Sequence, residues 1–250
     1  MLDRFAAFLD RHPRVLLTTH ENPDGDGVGA AVALASHLKG LGREVRIVVT
    51  PGLPENLRFL DPEGWVEGHD PEGAHRDLAA WPTAWLLIDA SEPHRMGPLF
   101  PAFEATGAVR ACLDHHLKDA PHGFDEEFTD SSASASAELV YDLVRPRREG
   151  PLPPVMAQAL YAGLVSDTGN FRHSNSTPKV HLAAADLVGQ GVHPARTYNA
   201  LYQTATPAKL KLVGRALEGL QLKGDDRFAY IVVTRADLAA CGATPEDLDE

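Results

Sequence analysis

The sequence predicts an α/β fold, a mainly parallel sheet flanked by helices, and three observations carry that expectation. Four short β-branched or leucine-rich runs, "RVLLTTH", "EVRIVVT", "AWLLIDAS" and "AVRACLDHH", each end in polar residues. Between the first two lies "VGAAVALASHLKGLG", where Val28, Ala31, Val32, Ala35, Leu38 and Leu41 recur at helical spacing and Gly42 supplies a stop. Strand, helix, strand in that order is the crossover unit that builds parallel sheets, whose ligands gather at the carboxyl ends of the strands. His20, Asp89 and the triplet Asp114, His115, His116 all fall at or just past such ends.

The remaining elements follow in chain order. The N-terminal "MLDRFAAFLDRHPR" is amphipathic with charges throughout, unlike a signal peptide. From Pro51 to Pro82 the abundance of Pro, Gly, Asp and Glu predicts loops with a short helix. A helix is expected from Ser134 to Val144, broken by "RPRREGPLPP" and followed by the helix-like "VMAQALYAGLVSDTG". Two more helical stretches, about His181 to Gly189 and Lys209 to Leu222, lead to "FAYIVVT", an apolar strand that opens a new unit. The expected organisation is a main domain over 1–190, a helical connector over 191–222 and the start of a second α/β domain over 223–250. That last unit is too short for a core of its own.

Composition narrows the function. With 250 residues, 44% of them hydrophobic, the chain can fill a proper core. Its 23 Lys and Arg against 35 Asp and Glu give a formal net charge of −12, which argues against wrapping of long duplex nucleic acid by a basic surface. An anionic substrate therefore needs a local cationic site. No run of about 18 apolar residues argues for a membrane span. Cys112 and Cys241 lie far apart without a CxxC spacing, as expected of idle thiols in a reducing cytoplasm.

The stretch "THENPDGDGVGA" crowds His20, Asp24 and Asp26 into one glycine-rich loop. A dinucleotide fingerprint starting at Gly25 or Gly27 meets Ala30 or Val32 where its last glycine belongs, and a calcium hand starting at Asp24 meets Ala35 where a bidentate Glu is required. Both fail. What survives is a ligand set for a pair of metal ions: His20, Asp24 and Asp26, with Asp89, His115 or His116, and Asp167 of "LVSDTGNF". Singly, an Asp before a turn is more often a cap and a His after a strand more often a packed or solvated residue. Jointly, four segments deliver carboxylate or imidazole to the rim where an α/β sheet puts its ligands. Mixed imidazole and carboxylate suits Mn²⁺ better than Mg²⁺, and the lack of thiolate argues against structural zinc. The other histidines, including His12, His37, His69, His75, His122, His181 and His193, lack a ligand context and read as solvated or packing residues.

In this order, "HENPDGDGVGA", "LLIDASEPHRMG", "CLDHHL" and "GLVSDTGNFRHSNSTP" resemble the four signature motifs of the DHH phosphoesterase superfamily, and most closely its oligoribonuclease (nanoRNase) and 3′-phosphoadenosine 5′-phosphate (pAp) phosphatase branch. The resemblance covers roughly residues 10 to 225. It implies that Asp26, Asp89, His115 and Asp167 hold one ion and His20, Asp24 and Asp89 the other, with Asp89 bridging. It further implies that Asp114 fixes the tautomer of a histidine and that His116 faces the substrate phosphate, Asp114, His116 and Asp89 together forming the catalytic group. The family's second domain grips the remote end of the substrate with a "GGGH" motif, which this sequence lacks; residues 227–250 resemble only the start of that domain.

The expected activity is hydrolysis of short RNA oligonucleotides and pAp to mononucleotides and AMP by hydroxide attack at two Mn²⁺ ions, with Mg²⁺ or Co²⁺ as substitutes. Arg95, six residues past Asp89, and Arg172, five past Asp167, are candidates for forked bonds to a substrate phosphate, assisted by His173 and Asn175. Two other readings use the same residues: a phosphodiesterase for linear or cyclic dinucleotides such as pGpG and pApA, and a non-catalytic nucleotide sensor. A cytoplasmic chain without membrane partners is expected, and a homodimer is compatible with it.

Overall fold

The computed structural model describes residues 1–117, 123–225 and 227–248. By packing, the chain divides into two units, Met1–Leu201 and Tyr202–Glu250.

Strands β1 (Arg14–Thr18), β2 (Glu44–Val49), β3 (Val66–Gly68), β4 (Ala84–Ile88), β5 (Val109–Asp114) and β6 (Glu126–Thr129) form one sheet in the order β3-β2-β1-β4-β5-β6, all pairs parallel. The order reverses between β1 and β4. Beyond the carboxyl ends of these two strands the connections leave in opposite directions, which opens a crevice for ligand groups.

The strand runs are apolar without alternation because helices cover both faces. Val15, Leu17, Leu86, Ile88, Ala111 and Leu113 point to one core, Leu16, Trp85, Leu87 and Cys112 to the other. The first core is filled by α1 (Leu2–Arg11), α2 (Gly25–Gly40), and, after the short α3 (Phe100–Ala105), by α4 (Ser136–Val144), α5 (Pro154–Asp167), α6 (Pro178–Gly189) and the end of α7 (Pro194–Tyr202). Phe103 of α3, with Met96 and Leu99, fills the second. α2 is buried almost all round, since it lies between the sheet and its neighbouring helices.

Some elements differ from expectation. β3 and β6 are short, partly exposed edge strands, "VEG" and "EEFT", without an apolar run to announce them. The Pro51–Pro82 stretch contains β3 and two 3-10 helices, Glu55–Leu60 and Leu78–Ala80. α6 begins at Pro178 because Thr177 caps it by accepting from Val180 N at 3.2 Å and Pro178 takes the first turn.

The second unit holds α8 (Pro207–Glu218), an antiparallel pair β7 (Gln221–Lys223) and β8 (Phe228–Tyr230), and α9 (Arg235–Cys241). The "FAYIVVT" strand is thus only Phe228–Tyr230, and the expected helix to Leu222 stops at Glu218, with Gln221 onward recruited into the hairpin. Thr234 and Asp237 form a reciprocal capping box on α9, Gly242 ends it at φ 65°, and Asp237 pairs with Arg215. Leu212 is the buried apolar side chain among this unit's described residues; Leu210, Leu217, Phe228 and Val232 are exposed. No helix among the described residues is long and apolar enough to cross a membrane.

Candidate metal centre

Each acidic or imidazole group at the crevice is aimed by its own local structure. β1 ends at Thr18, and His20 follows two residues later. Its Nδ1 lies 2.9 Å from the Glu21 carbonyl oxygen, which can only accept, so Nδ1 carries the donated hydrogen and Nε2 turns inward. Asp24 caps α2: its Oδ1 accepts from Asp26 N at 3.0 Å and Gly27 N at 2.9 Å, leaving Oδ2 at 3.6 Å from His20 Nε2.

Asp26, in the first turn of α2, is fully buried and accepts from the backbone of α4, Ser136 N to Oδ2 at 2.6 Å and Ala137 N to Oδ1 at 2.8 Å. Asp89, just past β4, is 1% exposed and sits on left-handed backbone at φ 65°, a conformation Asp tolerates better than most residues. Asp89 Oδ2 lies 3.7 Å from His20 Nε2 and Oδ1 lies 3.5 Å from His115 Nε2.

His115 follows the end of β5. Its Nδ1 faces the Ala133 carbonyl oxygen at 3.3 Å, so its Nε2 is again presented inward, without a hydrogen-bond partner, 3.6 Å from Asp167 Oδ2 and 3.9 Å from Asp26 Oδ2. Asp167 comes from the last residue of α5. Three overlapping groups can therefore each hold a metal ion, with ligand atoms within 4.8 Å of one another: His20, Asp24, Asp89; Asp26, His115, Asp167; and Asp89, His115, His116.

Asp114 stands behind this layer. Its Oδ1 accepts from His115 N at 2.9 Å and His116 N at 3.2 Å and lies 2.8 Å from His116 Nδ1. With Nδ1 tied to Asp114, His116 is the less suitable ligand and is 46% exposed.

The electrostatics call for positive charge. Burial, then the charges of Asp89, Asp167 and Asp24, push the Asp26 carboxyl well above the usual range. Burial also lifts Asp167. Asp89 goes the other way: burial opposes its charge, but contacts from His115 and His20 hold it well below the usual range. Burial works against protonation of His20 and His115 as well, yet the carboxylates facing them outweigh it and raise the two rings to about 10 and about 9. Crowded carboxylates with two inward-facing Nε2 atoms form a donor set that fits a divalent cation.

The other expected site residues divide. Arg95 and Arg172 are exposed, and their guanidinium groups make no hydrogen bond or ion pair among the described residues. His173 is exposed, its Nδ1 3.4 Å from Asp167 O; its ring lies over Gly169, where a Cβ would collide with it and where φ is +55°. Asn175 is half-buried, and its Nδ2 donates to Ser134 O at 2.9 Å, Asp167 O at 3.2 Å and Asp167 Oδ2 at 3.1 Å. It supports a carboxylate. Among the histidines without ligand context, His75 is buried against Glu67 at 3.1 Å and His181 stacks on Phe171, while His122 lies outside the described residues.

Sequence reasoning missed Ser136, whose Oγ donates to Asp89 Oδ1 at 3.1 Å. It was visible only as part of the helical "SASAELVYDLV".

The family model for the N-terminal domain of the DHH family matches residues 14–164, which span all of β1 through most of α5. The chain belongs to the DHH family. Among relatives, the bifunctional oligoribonuclease and PAP phosphatase NrnA of Thermus thermophilus is 32% identical over 239 residues, covering 94% of this chain and 66% of that protein. The protein of the same name from Bacillus subtilis is 28% identical over 240 residues, covering 94% of this chain and 71% of the relative. The chain thus spans about two thirds of the length of these two DHH relatives. Among solved structures, an exopolyphosphatase-related protein from Bacteroides fragilis shares the fold at TM-score 0.89 and 21% identity, covering 98% of this chain and 73% of that one.

Proposed function

We propose that the chain is a divalent-metal-dependent phosphoesterase that hydrolyses short RNA oligonucleotides and pAp to mononucleotides and AMP in the cytoplasm, with two Mn²⁺ ions as its cofactor. One observation carries the reading: six ligand-type side chains from four distant segments converge on one crevice, with His20 and His115 each presenting Nε2 to shared carboxylates. The names of the DHH relatives supply the substrate class.

Asp26, Asp89, His115 and Asp167 would hold one ion and His20, Asp24 and Asp89 the other. When bound, such ions acidify water and offset the charge that builds on phosphoryl oxygens. The chain's own groups do the rest. The Asp114 carboxylate beside Nδ1 raises the pKa of His116, which suits its exposed ring to donate a proton to the leaving ribose oxygen. Arg95 and Arg172, their guanidinium groups uncommitted among the described residues, orient the substrate phosphate by forked hydrogen bonds, and His173 assists.

The test is hydrolysis of a diribonucleotide and of pAp with Mn²⁺ and with EDTA. Mononucleotide and AMP are expected with metal alone. Equal rates in EDTA would remove the metal from the mechanism, and nucleotide binding without product in Mn²⁺ would favour the sensor. In the same assay Asp89→Ala, which takes a ligand from both ions, should lose more than the roughly 10- to 100-fold that follows loss of an outer hydrogen-bond partner.

A further inference from the structure

We propose that Ser136 is the positioning residue of this centre: its hydroxyl sets the rotation of the Asp89 carboxylate and so aims both of its oxygens. The inference rests on the metal-centre reading above. Asp89 Oδ1 faces His115 and Oδ2 faces His20, so each oxygen serves a different ligand group. A turn about the Cβ–Cγ bond would spoil both groups at once.

Ser136 is fully buried, and its Oγ donates to Asp89 Oδ1 at 3.1 Å across 47 residues of sequence. This hydroxyl has no part in ending its own helix. Ala135 occupies the cap position of α4 and no side chain caps it, so the hydroxyl can be removed without touching the helix end. The Ser136 backbone acts in parallel, since its N–H and that of Ala137 hold Asp26. Ser134, two residues earlier, is fixed by Glu138, whose Oε2 accepts from Ser134 N at 2.8 Å, and its carbonyl accepts from Asn175, which also holds Asp167. One turn of chain thereby reaches three carboxylates delivered by three other segments. The hydroxyl donor occupies one lone pair of Oδ1 and leaves the carboxylate's other acceptor positions for the crevice.

The test is a Co²⁺ titration of the whole chain, read by the visible absorption of bound Co²⁺, for wild type, Ser136→Ala and Ser136→Thr, with thermal melts in EDTA alongside. Ser136→Ala should bind about 10- to 100-fold more weakly, the usual consequence of losing an outer partner of a ligand, with an altered absorption band and a metal-free melt close to wild type. Ser136→Thr keeps the donor and should bind like wild type. The proposal is overturned if Ser136→Ala binds within twofold of wild type with the same band, or if Ser136→Thr loses as much as Ser136→Ala. A wild-type chain that takes up no Co²⁺ or Mn²⁺ would instead sink the metal-centre reading itself.

Discussion

At the scale of single residues, protons and cations compete for the same groups. His20 and His115 have their pKa values raised to about 10 and about 9 by the carboxylates around them, and Asp26 is pushed upward by burial and its acidic neighbours. In the metal-free chain both rings hold protons at neutral pH, and a cation must displace them to reach Nε2. Metal affinity should therefore climb as pH rises from about 6.5 toward 9, with protons released on binding. Calorimetry in two buffers of different ionisation enthalpy measures that release, and an affinity flat across this range would contradict it. The stability of the metal-free chain has the opposite slope. A ring whose folded pKa exceeds its unfolded value of about 6.5 stabilises the fold fully below that value and loses the contribution as pH passes through 9 to 10. Asp26, raised in the fold, has the same sign: its contribution is lost as pH climbs from the ordinary carboxylate range through its raised folded value. The expected outcome is a melting temperature in EDTA that falls between pH 7 and 10. The convergence of the candidate ligands could be read from the sequence because their chemistry is written in residue type and in place past a strand end, as at His20, Asp89 and His115. The hydrogen bonds by which Ser136 holds Asp89 and Asn175 holds Asp167 could not, although Asn175 is itself a candidate for the substrate in the sequence, because which carboxylate each side chain meets is decided by the packing.

At the scale of elements, the centre depends on how closely α2 approaches α5, since one carries Asp26 and the other ends in Asp167. Gly29 sets that approach. A Cβ there would stand 2.5 Å from the Ala159 carbonyl oxygen and 3.2 Å from Gly163 N, both backbone atoms that no rotamer change can move. Gly29→Ala gains about 1 kcal/mol of helix propensity, but overpacking a tight core contact costs about 1 to 3 kcal/mol. The clash should win, with a net loss in urea denaturation and weaker Mn²⁺ binding as Asp26 moves off Asp167. A variant as stable as wild type with unchanged metal affinity would show that the two helices are not held at this point. The same elements show which parts of the fold were legible. β1, β2, β4 and β5 are central strands with both faces covered, so each shows as an unbroken apolar run, and α2 between the first two shows its helical spacing. β3 and β6 bury too little to leave such a trace. "FAYIVVT" misled for the opposite reason: its apolar residues continue past the hairpin, and only pairing with Gln221–Lys223 decides where the strand ends. α7 buries little more than Thr197 and Leu201, which is too thin a stripe to predict a helix.

At the scale of the whole molecule, the formal charge of −12 and the cation-seeking crevice act on a substrate in opposite directions. Near the centre, on the function proposed above, metal held by the crevice together with Arg95 and Arg172 would attract phosphate. Beyond about 10 Å at 0.1 M salt the attraction is screened, and additional phosphates of a longer strand meet a surface with more carboxylates than cations. A diribonucleotide brings a single internucleotide phosphate to the centre and pays little of this repulsion, whereas every added nucleotide brings another charge. Hydrolysis in Mn²⁺ should therefore favour a diribonucleotide over a strand of about 20 nucleotides, through KM more than kcat. Because the discrimination comes from like charges held apart across solvent, raising the salt from about 50 to about 200 mM should shrink it, the reverse of the weakening that a basic nucleic-acid channel shows over the same range. Steady-state kinetics on the two lengths at both salt concentrations decides the point. A long strand that is cleaved as well as the dinucleotide at low salt, and less well as salt rises, would mean that a cationic path leads to the centre and that net charge does not choose the substrate.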